Sequence, residues 1–487
     1  MTGLADIFTF IFYTLTPIIR LVINISHVSP DQYYSNDYYP NLTQFFAFGP
    51  GSMTKKILIR GCTLLTEATA PLRNDHFVTI EGPLVSSLGS MAQCPGTDDY
   101  LVIDAHSKLV MPGLVNGHNH SAMTLFRGFA DDLSLRSWLH DHIFPAEAAH
   151  VNPEMVYWSA KLAAAEMISS GTTCVADGYF YSNHAAQAFS DAGVRAVVGH
   201  GIVDFSVPSV PDPSKNIETV ESFIDHWQGR SPLVTPAVFA HSPYTCSPAT
   251  LVEAKRLADR KGVRFFIHLA ESEEEQQQII DPRGSSPTNH LEALGLLDRN
   301  CTCIHTIWLD DQDIATLAAR RVGIVTCPQS NAKLASGIAP ITALLDQGAT
   351  IGLGTDGCAS NNSLDLFREM DMLAKLQKLS NKDATAMSAK EVLKCATDSG
   401  ARAVGLDSIG SITPGMAADL ILLDIHRSHL VPFYSQDTLV YGATGSDVDS
   451  VIIDGRLIMH DKKILTFEVD EVIEKMKILA ETVARAA

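Results

Sequence analysis

The stretch VMPGLVNGHNHSAMTLFRG, residues 110–128, is apolar at its start, breaks at Pro112 and Gly113, turns apolar again, and ends in His118 and His120 around one asparagine. Side chains two residues apart share a face on an extended strand and diverge on a helix. The pair therefore sits on a strand, GLVNGHNH. Alone it reads more readily as ordinary polar histidines at a strand end than as a metal site, so its meaning depends on what other strands bring to the same place.

Seven more segments share that short, near-continuous apolar character: GTTCVAD, AVVGHGIVD, TPAVFAHS, RFFIHLAE, CTCIHTIW, VGIVTCPQS and TIGLGTDG. Stretches of helical period separate them, such as EMVYWSAKLAAAEMISS, PATLVEAKRLADRKG and DQDIATLAARRVG. Strands of this kind suit a parallel sheet buried on both faces. Eight strand–helix units predict an α/β fold, a closed (β/α)8 TIM-type barrel over residues 109–404.

Short β-rich runs with Gly and Pro turns lie on both sides: ILIRGCTLL, FVTIEG and YLVID before the barrel, SIGSITPGMAADLILLD and VDSVIIDGRLIM after it. They predict a small β-sandwich domain assembled from residues 53–108 and 405–465. DEVIEKMKILAETVARAA, within residues 466–487, predicts an amphipathic terminal helix.

A chain of 487 residues, 46% apolar and 19% charged, is long enough for one large domain and a smaller one. Its net charge of −19 opposes nucleic acid and anionic membrane as main partners and leaves a small-molecule substrate. The nine cysteines are odd in number and sit in apolar runs, which implies reduced thiols and a cytoplasmic setting. Cys301 and Cys303, just before His305, read as a buried strand in preference to a soft-metal site. A homo-oligomer is expected.

Residues 1–52 differ from the rest and are expected to be a poorly ordered extension, with the functional protein beginning near Met53. Their uncharged run, residues 7–19, is shorter than the ~20 residues needed to span a bilayer. Residues 7–25 are the one candidate anchor, and the Asn41 sequon matters only in a secreted chain.

The barrel rule supplies a test of the histidines, because active sites lie at the C-terminal ends of the strands. There the sequence places His118 and His120 on the first strand, His241 on the fourth, His268 and Glu271 on the fifth, His305 on the sixth and Asp356 on the eighth. Taken singly, Asp356 reads as a turn residue and Glu271 as part of the acidic helix start ESEEEQQ. Taken together they form a set. His118, His120, His268 and Asp356 are assigned as ligands of one Zn²⁺, which lowers the pKa of a bound water toward ~7. Glu271 is assigned as proton shuttle. His305 either orients the water or the electrophilic atom, or adds a further ligand. A second metal is not expected, since TPAVFAHS contains no lysine to bridge two ions.

VMPGLVNGHNHSAMTLFRGFADDLSLRSWL, AHSPYTCS, IHLAES, NAKLASGIAPI, LGTDGCASNNSLDLFREM and TPGMAADLILLD resemble the amidohydrolase superfamily, in its branch of 5-methylthioadenosine/S-adenosylhomocysteine deaminases and triazine hydrolases. The resemblance implies one zinc, attack on a ring carbon bearing an amino group, and release of ammonia. It further implies that Glu147 meets ribose hydroxyls, Trp138 packs on the substrate and His241 contacts the purine. One departure is His200, in VVGHGIVD, where the family carries an arginine; a second arginine of the family corresponds here to Lys215 or to nothing. Histidine cannot reproduce bidentate carboxylate recognition, which puts a homocysteine-bearing substrate in question and makes His200 a candidate substrate-binding residue. Two alternatives stay open: removal of an alkylamine or halide from another heterocycle, and a catalytically silent scaffold, against which stands the presence of every proposed ligand.

Overall fold

The computed structural model describes residues 56–486. The extension, the candidate anchor and the Asn41 sequon lie outside the described residues.

The first strands, β1 (Lys56–Leu64), β2 (Arg73–Glu81), β3 (Leu84–Ser90), β4 (Tyr100–Asp104) and β5 (Lys108–Pro112), form a small sheet. β14 (Leu420–Asp424), β15 (Val448–Ile453), β16 (Arg456–His460) and β17 (Lys463–Ile464) complete it from the other end of the chain. Hydrogen bonds run continuously through these nine strands, so the small domain is one mixed sheet. Ile59, Val78, Ile103, Leu420 and Ile452 pack together from its strands into a core separate from the barrel interior.

Between those halves runs an eight-stranded, all-parallel sheet: β6 (Leu114–Asn119), β7 (Thr172–Tyr179), β8 (Arg195–Ile202), β9 (Val234–Ala240), β10 (Phe265–Leu269), β11 (Cys301–His305), β12 (Gly323–Thr326) and β13 (Thr350–Leu353). Every residue of β7 and β8 is buried, as strands covered on both faces require. The expected barrel is present, and β13 returns against β6. Asn116 Nδ2 donates to Thr355 Oγ1 at 2.7 Å, and the Asp356 N–H donates to the His118 carbonyl at 3.0 Å across that seam.

Some of the helices between strands start at side-chain caps, and some end at left-handed residues. Asn152 caps the helix Pro153–Ser169, with proline in its first turn, and Gly262 terminates Pro248–Lys261. The terminal helix Val469–Ala486 buries Val472, Met476 and Val483, one face of its turns.

Two glycines show how tightly the layers meet. A Cβ on Gly113, between β5 and β6, would lie 2.1 Å from Thr173 Oγ1. One on Gly178 would lie 2.4 Å from the Phe239 ring, which plugs the barrel directly beneath the mouth and stacks on His118. At the opposite end, Arg195 makes a forked pair with Asp419, at 2.7 and 3.0 Å, and reaches Asp454 at 3.0 Å, tying the barrel to the small sheet.

All nine cysteines are free. Among the described residues no helix is long and apolar enough to cross a membrane.

Candidate active site

The parallel barrel directs the ends of its strands to one mouth. There the Nε2 atoms of His118 and His268 approach to 3.2 Å. Asp356 Oδ1 lies 3.3 Å from His118 Nε2 and 3.5 Å from His120 Nε2. The free ring nitrogens are oriented from behind. His120 Nδ1 donates to the Gly178 carbonyl at 2.5 Å, and His268 Nδ1 to the His241 carbonyl at 2.8 Å. A carbonyl accepts only from an N–H, so these bonds fix the tautomers and leave both Nε2 lone pairs facing the cluster.

Asp356 is oriented in the same way. Its Oδ2 accepts from Ser330 Oγ at 2.7 Å and Ser360 Oγ at 2.9 Å, while its Oδ1 accepts from the Gly357 N–H at 2.8 Å. His305 Nδ1 donates to Asn331 Oδ1 at 2.8 Å, and its Nε2 lies 3.9 Å from Glu271 Oε1. Sharp backbone turns aim these groups. Ala270 (φ 54°), His305 (φ 71°) and Asp356 (φ 61°) all adopt the left-handed region, at about 1–3 kcal/mol each for a non-glycine residue. Glu275 steadies the first of these turns: its carboxylate accepts the Ala270 N–H at 3.0 Å and the Glu271 N–H at 2.8 Å.

Burial makes the His118 and His268 imidazoles neutral bases. It lowers His118 to about 3 against the opposing pull of Asp356, and takes His268 well below the usual range, with the surrounding histidines adding to the effect. Burial pushes Asp356 up, but the hydrogen bond from His118 and the surrounding imidazoles hold it well below the ordinary carboxylate range. Glu271 is raised by burial, against which His305 acts. Converging ring nitrogens and a carboxylate oxygen form a site for a cation. His118, His120 and Asp356 meet as one such group, and His118, His268 and His305 as another that shares His118.

Above this floor opens a cavity of about 360 Å³, within the range of ~300–1,000 Å³ common for small-molecule sites. Trp138, Glu147 and His241 all line it, together with Glu271 and His305. Trp138 stands on a π-helical turn, Trp138–Ile143, and Glu147 on the helix that follows, Phe144–His150. Glu147 accepts from the Tyr179 hydroxyl at 2.5 Å; burial raises its carboxyl to about 7, with that bond opposing. His241 is lowered to about 3 by burial and by the charge of neighbouring histidines, and its Nδ1 meets Thr245 Oγ1 at 3.0 Å.

His200 lies elsewhere. Along β8 the residues alternate: Val197 joins the barrel interior, while Ala196, Val198 and Ile202 face the helices. His200 shares their parity, sits near Phe223, and pairs through Nδ1 with Ser182 Oγ at 3.0 Å. Its neighbour Gly201 lines the cavity, and His200 does not. Sequence reasoning passed over Ser330, Asn331, Ser360, Glu275 and Tyr179. Asn331 and Ser330 stand in the run PQSNAKLASG, just beyond the end of β12, where the barrel rule itself directs attention.

Residues 109–458 match the amidohydrolase family. The chain is 48% identical over 383 residues to a 5-methylthioadenosine/S-adenosylhomocysteine deaminase of Syntrophobacter fumaroxidans, covering 78% of this chain and 87% of that one. It is 43% identical over 382 residues to a 5′-deoxyadenosine deaminase of Methanothermobacter thermautotrophicus, covering 78% and 88%. Its fold superposes with a TM-score of 0.85 on an adenosine deaminase from Xanthomonas campestris crystallised with bound zinc, at 33% identity and covering 88% and 98%. A family match over most of the barrel and relatives this similar along nearly their whole length leave one assignment: the chain belongs to the amidohydrolase family.

Proposed function

We propose that this chain is a zinc-dependent aminohydrolase, replacing the exocyclic amino group of an adenosine-like nucleoside with oxygen from water and releasing ammonia. The observation that carries this reading is a pair of donor groups that share His118, one with His120 and Asp356 and the other with His268 and His305, with Glu271 beside His305 at the floor of the cavity. Three neutral imidazoles and one carboxylate match the donor set of a catalytic zinc site. The relatives named as deaminases, and the zinc in the similar Xanthomonas structure, support the same choice.

His118, His120, His268 and Asp356 would hold the ion. Zinc so held supplies Lewis-acid activation, bringing the pKa of a water toward about 7. Glu271 Oε1 takes the proton from the attacking water and returns it to the amino nitrogen as the C–N bond breaks. His305, its Nδ1 committed to Asn331, presents Nε2 toward Glu271 and orients the water between them. Phe239 closes the barrel beneath these groups and excludes bulk water. Glu147 uses one carboxylate oxygen for Tyr179 and keeps the other for the ribose hydroxyls, while Trp138 and His241 flank the base. The free cysteines suit a reducing cytoplasm.

Ammonia release from 5-methylthioadenosine, followed with the conversion of the purine to its 6-oxo form, tests the reading. No ammonia from any purine nucleoside, with zinc bound, overturns it.

A further inference from the structure

The relatives leave two chemistries for the group at the nucleoside 5′ position: a small uncharged substituent, or a homocysteine bearing a carboxylate. The cavity walls distinguish them. From the floor, the His120 ring leads to Tyr179, whose ring centroid is 6.3 Å away, and Tyr179 leads to Glu147. With the reacting carbon at the floor and the ribose at Glu147, the 5′ group projects toward the outer wall.

That wall is apolar. Phe144, Phe180, Phe205, Val207 and Pro208 line it, and Ser206 adds a hydroxyl without charge. It is also firmly built. The Phe144 and Phe205 rings meet at 6.1 Å, Val207 and Val210 exchange backbone hydrogen bonds at 3.3 and 3.1 Å, and the Tyr181 hydroxyl donates to the Pro208 carbonyl at 2.7 Å. Among the described residues that line the cavity there is no lysine or arginine, whereas Glu147, Glu271 and Asp356 bring carboxylates.

The cations next in sequence to the walls are already paired. Arg136 binds Glu274 at 3.2 Å, Lys215 binds Glu218 at 2.8 Å, and Lys333 binds Asp131 at 2.6 Å. His200, where a cation would be sought in β8, faces the helices instead. A carboxylate placed against such a wall loses part of its water and gains no partner. A methyl or methylthio group gains apolar contact.

Resting on the deaminase reading above, we infer that the outer wall built by Phe144, Phe180, Phe205, Val207 and Pro208 selects nucleosides with an uncharged 5′ substituent and rejects those with a carboxylate there. Of these, Phe205, Val207 and Pro208 stand on the loop after β8.

The full chain loaded with zinc is assayed for ammonia release from 5′-deoxyadenosine, 5-methylthioadenosine, 5′-butylthioadenosine and S-adenosylhomocysteine. The three uncharged compounds are expected to react, with kcat/KM for S-adenosylhomocysteine at least about 100-fold below that for 5-methylthioadenosine, since a buried group left unpaired gives discrimination of this order or more. A smaller ratio overturns the inference. So does an equal loss with the butylthio compound, which matches the length without the charge. No ammonia from any of the four refutes the deaminase reading itself. In Phe205→Arg, a half-exposed wall position, the ratio is expected to shift at least about tenfold toward S-adenosylhomocysteine, as a new charge-assisted pair provides; no shift in an active variant counts against the wall.

Discussion

On the cavity floor, His118, His120, His268, His305 and Asp356 all stand within three residues of the last residue of a barrel strand. On the outer wall, Phe144, Phe205, Val207 and Pro208 stand on the connections that follow β6 and β8. Floor positions inherit their geometry from the parallel ladder and from buried partners such as Gly178, Asn331 and Ser330. Wall positions inherit theirs from a short bridge at Val207 and Val210 and from Tyr181. A barrel can therefore keep one chemistry at its floor while its loops choose the substrate. Substitutions at the floor should abolish turnover, and substitutions further out should alter binding.

His268→Ala attacks the floor most directly. It removes an Nε2 that meets His118 at 3.2 Å and the ring N–H given to the His241 carbonyl, which keeps only the backbone N–H of residue 268. Deamination should fall by at least ~10⁴-fold with the loss of metal-dependent activation, and elemental analysis should find less than half the wild-type zinc per chain. Retention of full zinc would remove His268 from the ligand set.

Glu271→Gln separates proton transfer from metal binding. The side chain keeps its volume and its place beside His305, but cannot take a proton. A loss of ~10²–10⁴-fold in kcat is expected from general acid–base catalysis alone, with zinc content unchanged. Loss of zinc would make Glu271 a ligand, and an active variant would give the proton to another group.

Glu147 lies between floor and wall, and its effect should appear in KM. Replacing a charged acceptor with Gln should raise KM by roughly 10- to 100-fold, the equivalent of about 1.5–3 kcal/mol for a hydrogen bond to a charged group. The sign of the pH dependence follows from burial, which raises this carboxyl to about 7. The ionised acceptor is lost as pH falls through that value, so wild-type KM should climb from pH 8 to pH 6 while that of Glu147→Gln stays flat. A flat wild-type profile would detach Glu147 from the ribose.

The same contrast explains what could be read in the sequence. The strands were legible because burial on both faces leaves continuous apolar runs, and the floor because HxH, IHLAE and GTDG fall at the ends of those runs. Val207 and Phe205 carry no such pattern: their wall exists only because Val207 pairs with Val210 and Phe205 meets Phe144 across the mouth. His200 shows a related limit. Its strand was legible, but its direction depends on parity relative to Val197, which the runs of apolar residues on either side do not reveal. Ser330, Ser360 and Asn331 were silent for another reason, since short polar side chains acquire meaning only from the aspartate or histidine they orient.

Glu275 gives the finest test of the comparison, because it touches neither the cation site nor the wall. In the sequence it is one glutamate of ESEEEQQ; in the fold it is buried, and its two oxygens receive the Ala270 and Glu271 N–H groups at the left-handed turn. Burial raises its carboxyl to about 7, opposed by those same bonds. Glu275→Gln keeps one acceptor and sets an NH₂ against the other N–H, at a cost of about 1–3 kcal/mol. The melting temperature should fall by several degrees, at roughly 2–4 °C per kcal/mol for a large domain. A residue that only stabilised the helix start would do no more than this. If Glu275 holds the turn that aims Glu271, kcat should also drop by about 3- to 10-fold with KM and zinc unchanged, as misplacing a catalytic group does. Glu275→Asp, which retains both acceptors on a shorter stem, should recover part of that kcat; lowered stability without lowered kcat would confine Glu275 to capping its helix.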